Sequence, residues 1–367
     1  MMSNCLRWAT LDDFDTYVND LRDEWQFKES GMRDCRADIC TAIYGTGNPD
    51  ISGIGVAVGY VLDLALGIFL SLAVIFLKPV YERKDPAHKA YQIFVAGLAA
   101  FFDAAAYFAF ALQLAAIAVL VRKDYGISTV DMGALETEIA QAVAVLSLLP
   151  LLYPVVLLEG GRDGVARHNA RLLLLSLTVA MSFYPFMSRC FHAFGESPIG
   201  SGKGDVVSSS DWHNVEDMCF PSGVGGLLGF MNSTTYKALD GLELATSLII
   251  YLFTFWTLAS LPASRYPYKT RKGETRSRRL LVNDWFGCHP FAAALPLFVA
   301  LGLVVPLLWV IFHLRILQKD LAESMGEKYV GGTWGFGQIV SLVLFLPVVV
   351  TMAYRWSFGD EWDRREW

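Results

Sequence analysis

Charge is scarce in this 367-residue chain: 18% of its residues are Asp, Glu, Lys or Arg, against roughly a quarter in an ordinary soluble domain. The charge that is present falls between apolar blocks of about 20 to 30 residues, long enough to cross ~30 Å of hydrocarbon at 1.5 Å per residue. That pattern excludes disorder, collagen and a small disulfide scaffold. Other absences narrow the chemistry. There is no Gly-rich phosphate cradle, no Gly-x-Ser-x-Gly, no His-Glu-x-x-His and no pair of aspartate-rich motifs for Mg²⁺-diphosphate, which speaks against a prenyltransferase or an ionisation-type cyclase. His213 has no His/Cys/Asp set at ligand spacing around it, so neither a metal nor another cofactor is expected. No internal repeat is visible, against an inverted-repeat transporter, and nothing indicates a nucleic-acid partner. The first 25 residues are acidic and lack the apolar core of a signal peptide, so the first span is expected to insert as its own signal.

What is present is an all-α, polytopic integral membrane protein, a bundle of seven transmembrane helices. The spans are read at 52–77, 92–121, 139–158, 172–187, 241–263, 290–314 and 334–354, and extending the fourth to Phe191 gives it a normal length. The domain order is an N-terminal segment 1–50, a membrane domain 51–354 with a long loop at about 188–240, and a tail 355–367. The segments after spans one, three and five, with the C-terminal tail, hold seventeen basic and ten acidic residues; the other side holds thirteen basic and twenty-three acidic. By the positive-inside rule the N-terminus is lumenal or extracellular and the C-terminus cytosolic. The sequon Asn232-Ser233-Thr234 lies in the long loop on the side where it can be glycosylated. Five of the six cysteines, Cys5, Cys35, Cys40, Cys190 and Cys219, fall on that same oxidising side. Cys190 with Cys219 is expected to close the long loop, and two of the first three to pair. The endoplasmic reticulum or another endomembrane is the expected location, with the plasma membrane as the alternative.

Outside the spans, Thr10 is placed to cap a helix whose Phe14, Tyr17, Val18, Leu21 and Trp25 form one stripe. The Gly- and Ser-rich long loop reads either as a lid over a central cavity or as a plain connection. The basic run from Arg265 to Arg279 reads as topology plus attraction to anionic headgroups.

Three acids lie inside the spans: Asp63 with Tyr60 one turn away, Asp103 with Tyr107 four residues on and Gln113 beyond, and Glu243 at the start of span five. An ionised group in lipid costs at least ~2.5–3.5 kcal/mol on insertion scales, so such acids face the interior and are functional candidates. No Lys or Arg is read at comparable depth to neutralise them, so some of them are expected to be neutral carboxylic acids able to donate a proton. Tyr153, Tyr251 and Trp256 add ring faces that favour a cation.

The segment Asn48-Pro-Asp-Ile-Ser-Gly-Ile-Gly-Val56 leading into span one resembles the opening of a set of fungal seven-span membrane proteins, as does Phe102-Asp103 followed by Phe108-Ala-Phe-Ala-Leu-Gln113. The resemblance covers about the first 115 residues and extends to the membrane-bound terpene cyclases of meroterpenoid pathways, of the ascofuranone, ascochlorin and macrophorin type. It implies a substrate with a prenylated, farnesyl-type tail, cyclised after protonation of a terminal epoxide or olefin without a metal. Carried onto this chain it implies Asp103 as the acid, Tyr107 as its orienting partner, and Asp50 and Asp63 as assisting acids; Glu243 rests on burial alone. The rival classes are a seven-span receptor-like protein and a proton-coupled transporter. Span three begins without a cysteine, its far end reads Glu-Gly-Gly-Arg-Asp, and span seven lacks Asn-Pro-x-x-Tyr, all of which count against the commonest receptor class.

Overall fold

The computed structural model describes residues 5–82, 88–124, 127–128, 132–158, 164–194, 209–220, 234–265, 267–269, 275–277, 290–326 and 329–362. Seven helical segments are long and apolar enough to cross a membrane: Ile54–Lys78, Lys89–Leu120, Ala134–Leu157, Arg167–Phe191, Asp240–Ala259, Leu297–Ser324 and Val330–Phe358. The chain is an integral multi-pass membrane protein. Its described residues are mostly helical, joined by turns and two short antiparallel pairs, Lys123–Asp124 with Ile127–Ser128 and Pro267–Lys269 with Thr275–Ser277. Number and order of spans agree with the sequence reading, but span three starts at Ala134 rather than 139. Span four runs Arg167–Phe191 rather than 172–187. The added residues include Glu136, Glu138, Arg171 and Arg189, whose charges are gripped inside the bundle while a hydropathy window counts them as loop.

Span three is the axis of the bundle. Of its apolar window 94% is buried, and it packs on spans one, two, four, five and six. Those five form a ring around it, in the order one, six, five, four, two, closed by contact between one and two. Span seven lies outside the ring, against spans one and two, with 24% of its window buried. A helix therefore fills the place where a central cavity under a lid was one of the two expectations.

The axial helix is broken at mid-length into Ala134–Leu146 and Leu149–Leu157. Pro150 has no N–H to continue the ladder, and the Leu148 N–H turns to Val145 O at 3.3 Å. Ala144 O, which would otherwise accept from Leu148, is taken by Gln113 Nε2 of span two at 2.6 Å and by Ser147 Oγ at 3.0 Å. In hydrocarbon such freed carbonyls must find a partner within the protein. Gln113 is thus committed to repairing a broken helix.

The N-terminal segment folds as a helical cap on the end of the bundle where span one begins. Its helix Phe14–Trp25 buries Phe14, Tyr17, Val18 and Leu21; the residue preceding it is Asp13, so the cap position is not Thr10. Tyr17 donates to Trp8 O at 2.7 Å, and Trp8 packs at a tilt against Trp25 with ring centroids 4.4 Å apart. Burial pushes the Tyr17 phenol above its ordinary value. A disulfide joins Cys5 to Cys35 and another joins Cys40 to Cys219. The expected Cys190–Cys219 pair is therefore corrected: Cys190 is a free thiol at the end of span four. Cys219 ends the helix Ser209–Cys219 in the long loop, so its disulfide ties that helix to cap helix Arg36–Tyr44. Tyr44 packs edge-on against Phe220 at 5.1 Å, and Arg36 donates to Ser324 Oγ at the end of span six. Asn232 of the sequon lies outside the described residues.

The segment Asn48–Val56 makes the joint between cap and span one. Gln338 of span seven accepts from the Gly55 N–H at 2.7 Å and donates to Pro49 O at 2.9 Å and Thr333 O at 2.7 Å. A Cβ on Gly53 would fall 2.0 Å from Pro49 O, which only glycine tolerates.

Candidate functional site

The three intramembrane acids have different surroundings. Asp103 is held by Arg171 of span four, whose Nε and Nη2 donate to its two oxygens at 2.8 and 3.2 Å. Its side chain is 47% exposed. Glu243 accepts from Arg189 Nε at 2.7 Å, and the same guanidinium reaches Glu138 at 2.8 Å and Asp240 at 3.2 Å. Three carboxylates from spans three and five thus meet one arginine from span four. The expectation that no basic side chain reaches these acids is corrected for both. Arg171 and Arg189 stand near the span ends, where sequence reading assigns cations to loops, and their long stems carry the charge inward. A carboxylate in a forked arginine grip is a hydrogen-bond acceptor, so the ground for reading Asp103 and Glu243 as neutral proton donors is removed.

Asp63 has no such partner among the described residues. It is 4% exposed, and its Oδ1 has no hydrogen bond. Helical spacing puts Asp63, Gly67 and Ser71 on one face of span one, toward span three. Gly67 forms a notch there: a Cβ would lie 2.6 Å from Tyr153 Oη and 2.7 Å from Phe101 Cζ. Tyr153 Oη lies within electrostatic reach of Asp63, and it too lacks a hydrogen-bond partner, as does Ser71 Oγ. Most buried polar groups are satisfied, so Asp63 on span one and Tyr153 opposite it on span three, both unpartnered among the described residues, mark a polar spot at mid-depth between the two.

Other residues named from the sequence fall elsewhere. Tyr60 is buried, donates to Ile51 O at 3.5 Å, and sits 6.1 Å from the Phe108 ring. Tyr107 is 63% exposed and makes no hydrogen bond to Asp103, and Trp256 is 55% exposed; both point away from the interior they were expected to line. Asp50 is exposed and lies against the first turn of span seven, where a Cβ on Gly337 would come 2.6 Å from its Oδ1. Tyr251 shares a hydrogen bond of 3.2 Å with Ser182 and packs edge-on against Phe186 at 5.3 Å.

Sequence reading missed Glu136 and Gln318. Glu136 accepts from the Gly47 N–H at 2.7 Å beneath the cap, and Gln318 of span six is fully buried. The signal for Glu136 was its place two residues before Glu138, in a stretch otherwise apolar enough to belong to the span. Among the described residues no group of three or more His, Cys, Asp or Glu side chains could hold a metal ion. Comparison of the chain with protein-family models, with curated proteins and with solved structures found no match.

Proposed function

We propose that this protein is a membrane-bound terpene cyclase and that Asp63 is its acid. The observation that supports the reading is the Asp63 carboxyl itself, buried at mid-depth with no countercharge among the described residues and near the unpartnered hydroxyl of Tyr153. A carboxyl in that position keeps its proton, because ionising it in hydrocarbon is costly. The reaction asks for one neutral acid. Asp63 gives its proton to a terminal epoxide oxygen or olefin carbon of a prenylated substrate; the electron-poor carbon is attacked by the next double bond. Loss of a proton from the last cation, with Asp63 carboxylate as acceptor, restores the acid and leaves an isomer of unchanged mass. The Tyr153 hydroxyl at the Gly67 notch, unpartnered among the described residues, is free to bond the substrate oxygen, and the edge of the Phe101 ring closes the same notch. At 4% exposure Asp63 receives substrate only when the helices around it part.

The cap end is the lumenal or extracellular end in this reading. Both disulfides at that end and the excess of acids there support it, and an endomembrane is the location. Its partners are the bilayer and the hydrophobic substrate. The experiment is expression in yeast, with microsomes fed farnesylated phenols and their terminal epoxides. A product of unchanged mass is expected; no product across the panel from well-expressed protein would transfer the case to a receptor-like protein or a proton-coupled transporter.

A further inference from the structure

On the far side of span three from Asp63, spans three, four and five enclose a narrow cleft lined by Gln141, Val145, Phe186, Arg189, Glu243 and Leu244. Its enclosed space is about that of one water molecule, so it admits a single hydroxyl and not a whole ligand. One wall is polar. Gln141 donates through Nε2 to Ser188 Oγ at 3.3 Å, while its Oε1, on a residue 1% exposed, has no partner. Arg189 and Glu243 continue that wall, joined at 2.7 Å. The opposite wall is apolar: Val145, Phe186 and Leu244. It runs on along the ring cluster of Phe186, Tyr251 and Phe183 to Phe183 and Leu248, which are 55% and 51% exposed on the outer faces of spans four and five. The joint at Ser182, between helices Gly164–Met181 and Phe183–Phe194, lies beside the cleft, with Pro185 in its lining.

We propose that this cleft binds the hydroxyl head of a membrane-dissolved amphiphile, its apolar body lying along Phe183 and Leu248 toward the lipid. The unsatisfied atom is a neutral acceptor, so the ligand must donate a hydrogen. An anionic head would meet the Glu243 carboxylate in the wall, and Arg189 beside it already holds Glu243, Glu138 and Asp240. An alcohol or phenol meets the requirement without bringing a charge into the span. Two sources share that chemistry, a membrane sterol and a prenylated phenol. The site stands on its own residues and does not depend on the cyclase reading.

The test uses the full-length protein in lipid nanodiscs and photoreactive probes: a diazirine sterol and a diazirine farnesylphenol, each as free hydroxyl and as methyl ether. The ether keeps the oxygen and loses the donated hydrogen, so no change to the protein is needed. The hydroxyl probe should label peptides of spans four and five about fivefold more than its ether, as expected for one neutral hydrogen bond. Gln141→Leu should erase that difference. Labelling by the sterol alone identifies a lipid site, and labelling by the phenol alone identifies a headgroup site for substrate; both support the hydroxyl chemistry. Equal labelling by alcohol and ether, preference for an amine- or carboxylate-headed probe, or no labelling by either hydroxyl probe would overturn it. Asp63→Asn should leave the labelling intact, which separates this site from the fate of the proposed activity.

Discussion

Arg171 holds Asp103 with two hydrogen bonds, at 2.8 and 3.2 Å, linking span four to span two. The acid with the strongest claim from sequence is therefore the partner of an arginine that sequence reading assigned to a loop. Its function here is to bridge helices, and a different aspartate is left without a cation.

From that pairing, Asp103→Asn should lower stability by about 1–2 kcal/mol, since the pair is half exposed on the acid side. Turnover per folded molecule should be kept. Thermal unfolding of the purified protein in detergent, read beside product formation, checks both halves.

Arg189 is more deeply committed, with Glu138, Asp240 and Glu243 all on one guanidinium. Arg189→Leu would leave buried carboxylates without it, a loss of roughly 3–5 kcal/mol for a buried pair. Little folded protein should be recovered on size-exclusion chromatography. Well-folded Arg189→Leu protein with wild-type melting would refute the network as a structural element.

The disulfide between Cys40 and Cys219 closes a separation of 179 residues. A loop of that size restrains the unfolded chain by about 4–5 kcal/mol in the entropic account. Cys219→Ser should be markedly less stable, while Cys190→Ser should be silent. Non-reduced peptide mapping should find Cys5 with Cys35, Cys40 with Cys219, and Cys190 open to alkylation. A Cys190–Cys219 peptide would contradict the fold of the cap.

Tyr153 offers a cleaner separation of structure from activity. Its Oη has no hydrogen bond, so Tyr153→Phe removes an unsatisfied buried hydroxyl and should be neutral or slightly stabilising. Turnover should fall all the same, because the variant lacks the hydroxyl that bonds the substrate oxygen beside Asp63. Gly67→Ala at the facing notch should destabilise, because the new methyl group would meet Tyr153 and Phe101.

The spans were legible because apolar runs of membrane length have one reading, and the cap helix because Phe14, Tyr17, Val18 and Leu21 keep a helical period. The pairing of charges was not legible. Arg171 and Arg189 sit near helix ends, and only the packing of span four against its neighbours shows that they turn inward. Cysteine connectivity was hidden for the same reason: the partner of Cys219 comes from a cap whose position over the bundle no local pattern encodes. The two segments that carried the family resemblance turn out to be architectural in large part. Gly53 and Gly55 admit Gln338 at the joint with span seven, and Gln113 repairs the break in span three. Of the three acids, Asp63 keeps the character its sequence position suggested, an acid at depth with no countercharge among the described residues.

The central claim is that Asp63 is the proton donor. The most direct measurement compares Asp63→Asn and Asp103→Asn with the wild-type protein in microsomes, at matched protein levels, using a farnesylated phenol and its terminal epoxide and reading products by mass spectrometry and NMR. The account predicts an isomer of unchanged mass from wild type and from Asp103→Asn, and none from Asp63→Asn. Wild-type turnover by Asp63→Asn, or loss confined to Asp103→Asn, would contradict it.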